Sequence, residues 1–401
     1  MTATIVSNVN GANTYALQSA IGAYSDEAYT NARKLSGTGI VGFNPQIDTS
    51  TETFIGQMRW LKPLNPTINI ASLTVATAGT GTTYASDFST YIKTVRTHGA
   101  TNVNLSQVVT QMDGLAKIGR DFGETRAQDE HNAILSVLKG VAISEALNGA
   151  ATGSGVTGLG GQTFSNDPTD KAYGFYVDLG SAAPVVAATT AIQGAARAEG
   201  FLNALGMAWK DYEPDYAYLV VSPETLASLR SANLVDETKV TDGTVVFDTI
   251  FGGKFRLIQT RAAQGFTTAQ LTKLNTGGGI NIVGTKASFI VLPGAVAMAS
   301  LNIDVPTEVT RDGSSYAGGG STNIWHRWGY VAHPAGYNWA GATDVFPSDA
   351  EFMEVTENAA HVALTASTDG LVTGTPAYVQ GVWLRKASSA LSLGILPVFH
   401  S

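Results

Sequence analysis

Between Asn104 and Asn148 the apolar positions recur every three or four residues: Val108, Met112, Leu115, Gly119 and Phe122, then Ile134, Leu135, Leu138, Val141, Ala142 and Leu147. That spacing keeps one stripe of a helix apolar and leaves Lys117, Arg120, Glu124, Arg126, Asp129 and Glu130 off it, on a solvated face. Asn104 or Ser106 offers the cap, and Gly149 with the glycines after it ends the run. Unbroken, the helix would reach about 65 Å at 1.5 Å per residue. Gly114, Gly119 and Gly123 lie inside it, each about 1 kcal/mol less favourable there than Ala. Either the helix kinks at these positions or a neighbouring backbone packs close.

The rest of the pattern is weaker. Residues 1–45 are polar, with a short helix expected over Ser25–Leu35, and read as a terminal arm. Thr53–Leu61 and Phe88–Thr97 are rich in strand formers and flank Ala76–Ser86, a Thr/Gly/Ala stretch, so they predict a hairpin that needs a surface to lie on. Thr189–Lys210 repeats the helical spacing. Tyr216–Val221, a helix opened by Ser222-Pro223 and running through Arg230, and Lys254–Gln259 form a strand–helix–strand unit. Beyond it come a buried-type strand over Ala287–Leu292, a short helix from Pro293 to Met298, a strand over Ile303–Arg311 and a long strand over Asn323–Trp339. A helix at Ser348–Phe352, a Thr/Ala/Gly-rich insertion at Val355–Tyr378 and a last strand within Gly381–Val398 complete the chain. The class is α+β.

Composition narrows this. In 401 residues only 14% are charged, against a norm of about 25%. Surfaces that mostly meet other protein fit that figure, as does a β-rich secreted protein. The net charge of −8 and the lack of Lys/Arg clusters argue against a polyphosphate-binding surface. With no cysteine there are no disulfides, thiolate metal sites or Cys nucleophiles. No signal-peptide pattern opens the chain, and Ala287–Ile303, the most apolar stretch, is interrupted by Pro293, so a soluble protein with no membrane span is expected.

Catalytic signatures are missing too. Gly153–Gly158 spells GxGxxG, but a helix precedes it where a phosphate cradle needs a strand, so a flexible loop is the better reading. The six histidines have no ligand spacing. His326 and His333, seven apart on an expected strand, face opposite ways and read as hydrogen-bonded structural residues. Trp325, Trp328, Tyr330, Tyr337 and Trp339 could form a carbohydrate platform, though alternation along a strand more often packs two faces. No catalytic, cofactor-binding or metal residue is expected, and no enzyme.

Arg126 with Gln128, the Ile134–Gly140 closure, Ser222-Pro223, Ile250–Lys254 and the Arg327–Trp339 run together resemble the major capsid proteins of tailed bacteriophages, which share the Hong Kong 97 fold. Arg126, Gln128 and the Ile134-Leu135…Leu138-Lys139-Gly140 closure look like that family's spine helix. Ser222, Pro223, Thr225, Leu226 and Leu229, then Ile250-Phe251-Gly252-Gly253-Lys254, are similar to its strand–helix–strand phrases. Arg327, Tyr330, Val331, His333, Pro334, Gly336, Tyr337 and Trp339, after an Arg311-Asp312-Gly313 turn, resemble its closing strand. The resemblance spans residues 45–355. It implies an N-terminal arm (1–45), an extended E-loop hairpin (46–103), a peripheral domain with the spine helix (104–215), an axial domain (216–300) and returning strands with a C-terminal extension (301–401).

Hexamers and pentamers of an icosahedral shell around double-stranded DNA would follow, with portal, scaffolding and cement or decoration proteins as partners and the DNA contacted non-specifically. Arg59, Lys62, Lys93 and Arg96 are the cations expected to meet acidic patches on neighbouring subunits. The family's Lys–Asn cross-link is not carried over, because no acceptor Asn or assisting Glu matches. An encapsulin-like shell is the alternative within the fold. A secreted carbohydrate-binding protein is the alternative outside it.

Overall fold

The computed structural model describes residues 14–33, 35–42, 44, 46–61, 86–103, 114–151, 177–178, 201–202, 204–205, 209, 214–231, 234–236, 239–242, 245–260, 266, 286–342, 346–357, 379–385 and 393–400. Its helices are α1 (Thr14–Ala32), α2 (Gly114–Ala151) and α3 (Pro223–Ser231). Its strands are β1 (Val41–Gly42), β2 (Ile55–Leu61), β3 (Ser86–Val103), β4 (Val177–Asp178), β5 (Ala217–Val221), β6 (Val240–Asp242), β7 (Val245–Ile250), β8 (Phe255–Gln259) and β9 (Lys286–Val291). There follow β10 (Val296–Ser300), β11 (Thr307–Asp312), β12 (Ser321–Pro334), β13 (Tyr337–Trp339), β14 (Val355–Glu357), β15 (Val379–Gly381), β16 (Trp383–Arg385) and β17 (Ile395–His400).

Two larger sheets divide the work. The first runs β4-β17-β9-β5-β8-β7-β6. Its middle strand, Ala-Tyr-Leu-Val-Val, is buried at every position, as a strand covered on both faces requires. β5 and β8 pair in parallel, and α3 lies in the connection between them. Ser222 caps α3 by accepting from the Thr225 amide at 3.2 Å; Pro223 opens it, Glu224 lies in its first turn and Arg230 in its last. Leu226 and Leu229 are the buried face. The Phe-Gly-Gly-Lys turn before β8 puts Phe251, Gly252 and Gly253 at positive φ. Asp236 anchors it, accepting from the Gly252 and Gly253 amides at 3.0 and 3.3 Å.

The second sheet runs β1-β10-β12-β3-β2, with β11 also paired to β12. β3 is shared along its length. Its first seven residues pair with β2, and Lys93–Val103 pair with β12. The long helix α2 packs against β12 on one side and against β15, β17 and the 3-10 turn Glu351–Met353 elsewhere. Ile134, Leu135, Leu138, Val141 and Ala142 on its stripe enter the main core with residues of both sheets.

Several expectations change. The described helix begins at Gly114, and residues 104–113 lie outside the described residues. The N-terminal helix starts at Thr14 rather than Ser25 and packs along α2. Gly119 and Gly123 are the reason: a Cβ on Gly123 would meet Ser25 O, Tyr29 N and Ala28 Cβ, and one on Gly119 would lie 3.2 Å from Ile21 O. Of the two explanations for these glycines, close approach wins. Pro293–Met298 is not a helix. Gly294 turns the chain at φ +71°, and Val296 to Ser300 then pairs with β12. Lys62, the hairpin tip, the Gly-rich loop from residue 152, most of the helix expected at 189–210 and the insertion at 358–378 lie outside the described residues.

Candidate functional site

The hairpin and its root are the part of the fold with the most unusual construction. An 18-residue strand spans about 60 Å. Only its second half is held in the sheet by β12, so the β2–β3 ribbon depends on clamps at its root. Polar groups supply them. Ser89 donates to the Tyr337 carbonyl, and the Thr90 amide donates to Asn338 Oδ1 at 2.7 Å, which ties β3 to β13.

Lys93 sits at the point where β3 changes partner. Its side chain is fully buried, and Nζ donates to Asp48 Oδ2 and Ser50 O, each at 2.7 Å, and to Ser50 Oγ and Thr53 Oγ1 at 3.3 Å. The hydrogen bond from Lys93 holds the Asp48 carboxyl down at about 2. Tyr91 OH accepts from the Asp48 amide at 2.6 Å, so the 46–54 segment is buttoned to the ribbon twice.

A second cluster lies one turn of sheet further on. Arg96 Nε is 3.5 Å from Asp129 Oδ1, and its NH2 donates to Asp349 at 3.1 Å. Asp129 Oδ2 accepts from Trp328 Nε1 at 2.8 Å and from Tyr330 OH at 3.0 Å. Burial first, then the charge of Asp129, drives the Tyr330 phenol far above its ordinary value and lifts the Asp349 carboxyl. One arginine therefore joins sheet, α2 and the 346–353 segment.

The third clamp binds α1. Tyr29 OH donates to Glu130 Oε2 at 2.5 Å, and Arg126 lies 3.3 Å from the same carboxylate with its guanidinium carbon 4.1 Å from the Tyr29 ring centre. Burial and the neighbouring Glu130 push the Tyr29 phenol to about 12. Beside it, His326 stacks on Phe122 with centroids 5.5 Å apart, and its two ring nitrogens lie 3.4 Å from Ser25 Oγ and 3.0 Å from Thr307 Oγ1. Asp129 and Glu130 are thus not a solvated face: Glu130 is 1% exposed and both carboxylates are bonded. Sequence spacing put them off the stripe, but nothing in it showed that α1 would cover that side.

Of the four cations singled out, Lys93 and Arg96 are engaged within the chain as just described. Arg59 is exposed on β2, with its guanidinium carbon 5.4 Å from the ring centre of Phe88, itself 47% exposed. Lys62 lies outside the described residues. His333 is a structural histidine as expected, fully buried, with Nε2 3.0 Å from both Ser89 Oγ and the Tyr337 carbonyl oxygen. Of the five aromatics, Trp328, Tyr330, Tyr337 and Trp339 are buried and only Trp325 faces outward. Among the described residues, no group of three or more His, Cys, Asp or Glu side chains could hold a metal ion, and no helix is long and apolar enough to cross a membrane.

No protein-family model matches the sequence, and no curated protein matches it. Solved structures do. The capsid of Ralstonia phage GP4 superposes with a TM-score of 0.46 at 13% identity, over 77% of this chain and 86% of that one. The head structure of Helicobacter pylori bacteriophage KHP40 gives 0.46 at 9% identity, over 92% and 91%. The capsid of an empty GTA particle gives 0.42 at 14%, over 76% and 88%. The solved structures named here, to which the chain is similar, are thus a phage capsid, a phage head and the capsid of a GTA particle.

Proposed function

We propose that this chain is the major capsid protein of a tailed bacteriophage, building the icosahedral head around double-stranded DNA from hexamers and pentamers. The observation that carries the reading is the ribbon. β2 and the first half of β3 leave the sheet as a two-stranded element, clamped at the root by Lys93, Ser89 and Thr90, and carry Phe88 and Arg59 exposed. Such a hairpin is marginal by itself. It gains its burial by lying over a neighbouring subunit.

On this reading the role is mechanical. The spine helix stiffens the wedge, the 46–103 hairpin crosses a neighbour, and the 216–300 region packs towards the capsomer centre. Arg59 and Lys62 are the cations left to reach neighbours, since the buried ammonium of Lys93 is already surrounded by acceptors of its own chain. Many modest contacts closed by symmetry hold the shell. Portal, scaffolding and cement proteins are its partners, assembly takes place in the host cytoplasm, and the DNA is confined without specific contact. Light scattering and negative-stain imaging of the purified chain test the proposal. Closed megadalton particles are expected, and replacing residues 62–85 by a Gly/Ser linker should leave only small species. A chain that stays monomeric under all assembly conditions would falsify it.

A further inference from the structure

The outward face of β3, β12 and β11 carries a regular pattern of one indole among small polar side chains. The pairing register sets Trp325 opposite Gly99 on one side and Glu308 on the other, Asn323 opposite Thr101 and Thr310, and Arg327 opposite Thr97. Residues directly opposite in a sheet share a face, as do residues two apart along a strand. The result is a grid about 14 Å along the strands and ~10 Å across them, with the indole at its centre. Two contacts confirm the common face: Thr101 Oγ1 donates to Asn323 Oδ1 at 2.8 Å, and Arg327 NH2 donates to Glu308 Oε2 at 2.7 Å.

The glycine opposite the tryptophan shapes the centre. A Cβ on Gly99 would lie 2.6 Å from Trp325 Cζ3 and 2.8 Å from Cε3. With only hydrogen there, the six-membered ring can pack close against β3 at Gly99. Trp325 nevertheless remains 44% exposed. Thr97, Thr101 and Thr310 around it are exposed, and Asn323 is half-buried. These groups supply both donors and acceptors. The only charges on the grid are Arg327 and Glu308, already paired, so its net charge is zero.

We infer that this face is a binding site for a neutral hexopyranose. A gluco- or galacto-configured ring presents an apolar C–H face to stack on the indole, while its hydroxyls meet the surrounding threonines, Asn323 and the Arg327–Glu308 pair. An anionic sugar would meet the Glu308 carboxylate with no unpaired cation to offset it. The site differs from the five-residue aromatic platform considered from sequence: four of those rings are in the core, and one ring with a polar rim does the recognition.

The test uses the full-length chain and saturation-transfer NMR with methyl β-D-glucopyranoside, methyl β-D-galactopyranoside and N-acetylneuraminic acid. Transfer to the axial ring protons of at least one neutral glycoside is expected, with none to the acid. Trp325→Ala should reduce it at least tenfold and Trp325→Tyr should restore most of it. Should Trp325→Ala disturb the fold by circular dichroism, Asn323→Ala and Thr310→Ala, which trim only the rim, should each lower the transfer severalfold. Absence of transfer from both glycosides overturns the inference, as does transfer that Trp325→Ala leaves unchanged. A change of particle or oligomer size caused by Trp325→Ala without any sugar signal also overturns it, because the face then serves contacts between copies of the chain. The measurement works on unassembled chain and on particles alike, so its outcome is separable from that of the assembly experiment.

Discussion

The same substitution should have opposite signs in the two helices that pack together. Gly22 lies within α1, and a Cβ added there meets nothing within 4 Å. Gly22→Ala therefore gains only helix propensity and should stabilise by about 1 kcal/mol. Gly123 lies within α2, where a Cβ would collide with Ser25 O, lie 2.7 Å from Tyr29 N and 2.8 Å from Ala28 Cβ. Two of those three atoms are backbone, so no side-chain rotation relieves the overlap, and α1 must move away. Overpacking of this kind costs typically 1–3 kcal/mol, from which the propensity gain of about 1 kcal/mol is subtracted. Displacing α1 also strains Tyr29–Glu130, a hydrogen bond to a charged group worth about 1.5–3 kcal/mol. A net destabilisation of roughly 1–3 kcal/mol follows for Gly123→Ala. Urea unfolding of the unassembled chain reads both variants, and limited proteolysis within 14–32 reports whether α1 has come loose. Equal stabilisation by the two alanines would refute the docking of α1 on α2.

Lys93→Met keeps the buried stem and removes the donor. It should cost about 1.5–3 kcal/mol, with Asp48, itself 54% exposed, returning towards its ordinary carboxylate value; a carbon-13 titration of Asp48 reads this directly. Gly140→Ala places a Cβ against the Phe352 carbonyl oxygen and 2.7 Å from Trp383 Nε1, so the Trp383-to-Phe352 hydrogen bond of 3.1 Å should break and near-ultraviolet circular dichroism should lose tryptophan signal. Burial holds His326 and His333 each down at about 4. Both are neutral in the fold at pH values where an unfolded histidine, near 6.5, is already charged. Their contribution is thus complete above pH 6.5 and lost as pH falls from there towards 4. Melting temperatures at pH 7, 5.5 and 4.5 should fall progressively. His326→Gln should flatten that slope, and an unchanged slope would show that His326 is not buried neutral.

What could be read from sequence depended on whether the cause of a feature lay near it in the chain. The described part of the stripe on α2 and the Ser-Pro start of α3 rest on local spacing and local capping and appear where expected, whereas the run expected as one strand over Asn323–Trp339 is β12 to Pro334, a turn at Gly336 and then β13. The hairpin partners β2 and β3 were legible for the same reason, although β3 extends six residues past the expected end at Thr97, because its pairing with β12 is set over two hundred residues away. Pro293–Met298 failed as a helix because proline and small residues suit a turn equally well, and only its pairing with β12 decides the matter. The site was less legible. Lys93 and Arg96 look like free cations until Asp48, Asp129 and Asp349 are brought to them by folding. Gly119 and Gly123, four apart, left a kink and a close neighbour equally open, and only the approach of Ile21, Ser25 and Tyr29 decides for the neighbour.

The sparse charge has a further consequence for how the subunit works. With only 14% charged residues, a protein could spread them over its surface for solubility. Lys117, Asp121, Arg230 and Lys239 are exposed in that way, but Lys93, Arg96, Asp129 and Glu130 are placed where β3 leaves the sheet and where α1 and α2 cross it. A buried ion pair is poor value as stability, since desolvation offsets much of the attraction. It is strict about geometry, however, because an arginine between two carboxylates tolerates little displacement before a partner is left buried and unbonded. Apolar packing alone would let the ribbon pivot on a smooth surface. Directional bonds at its root fix the angle at which it leaves the sheet; on the capsid reading proposed above, that angle sets where the exposed Phe88 and Arg59 would meet a neighbour. Lys93 and Arg96 are thus committed to holding the root of the ribbon in its place.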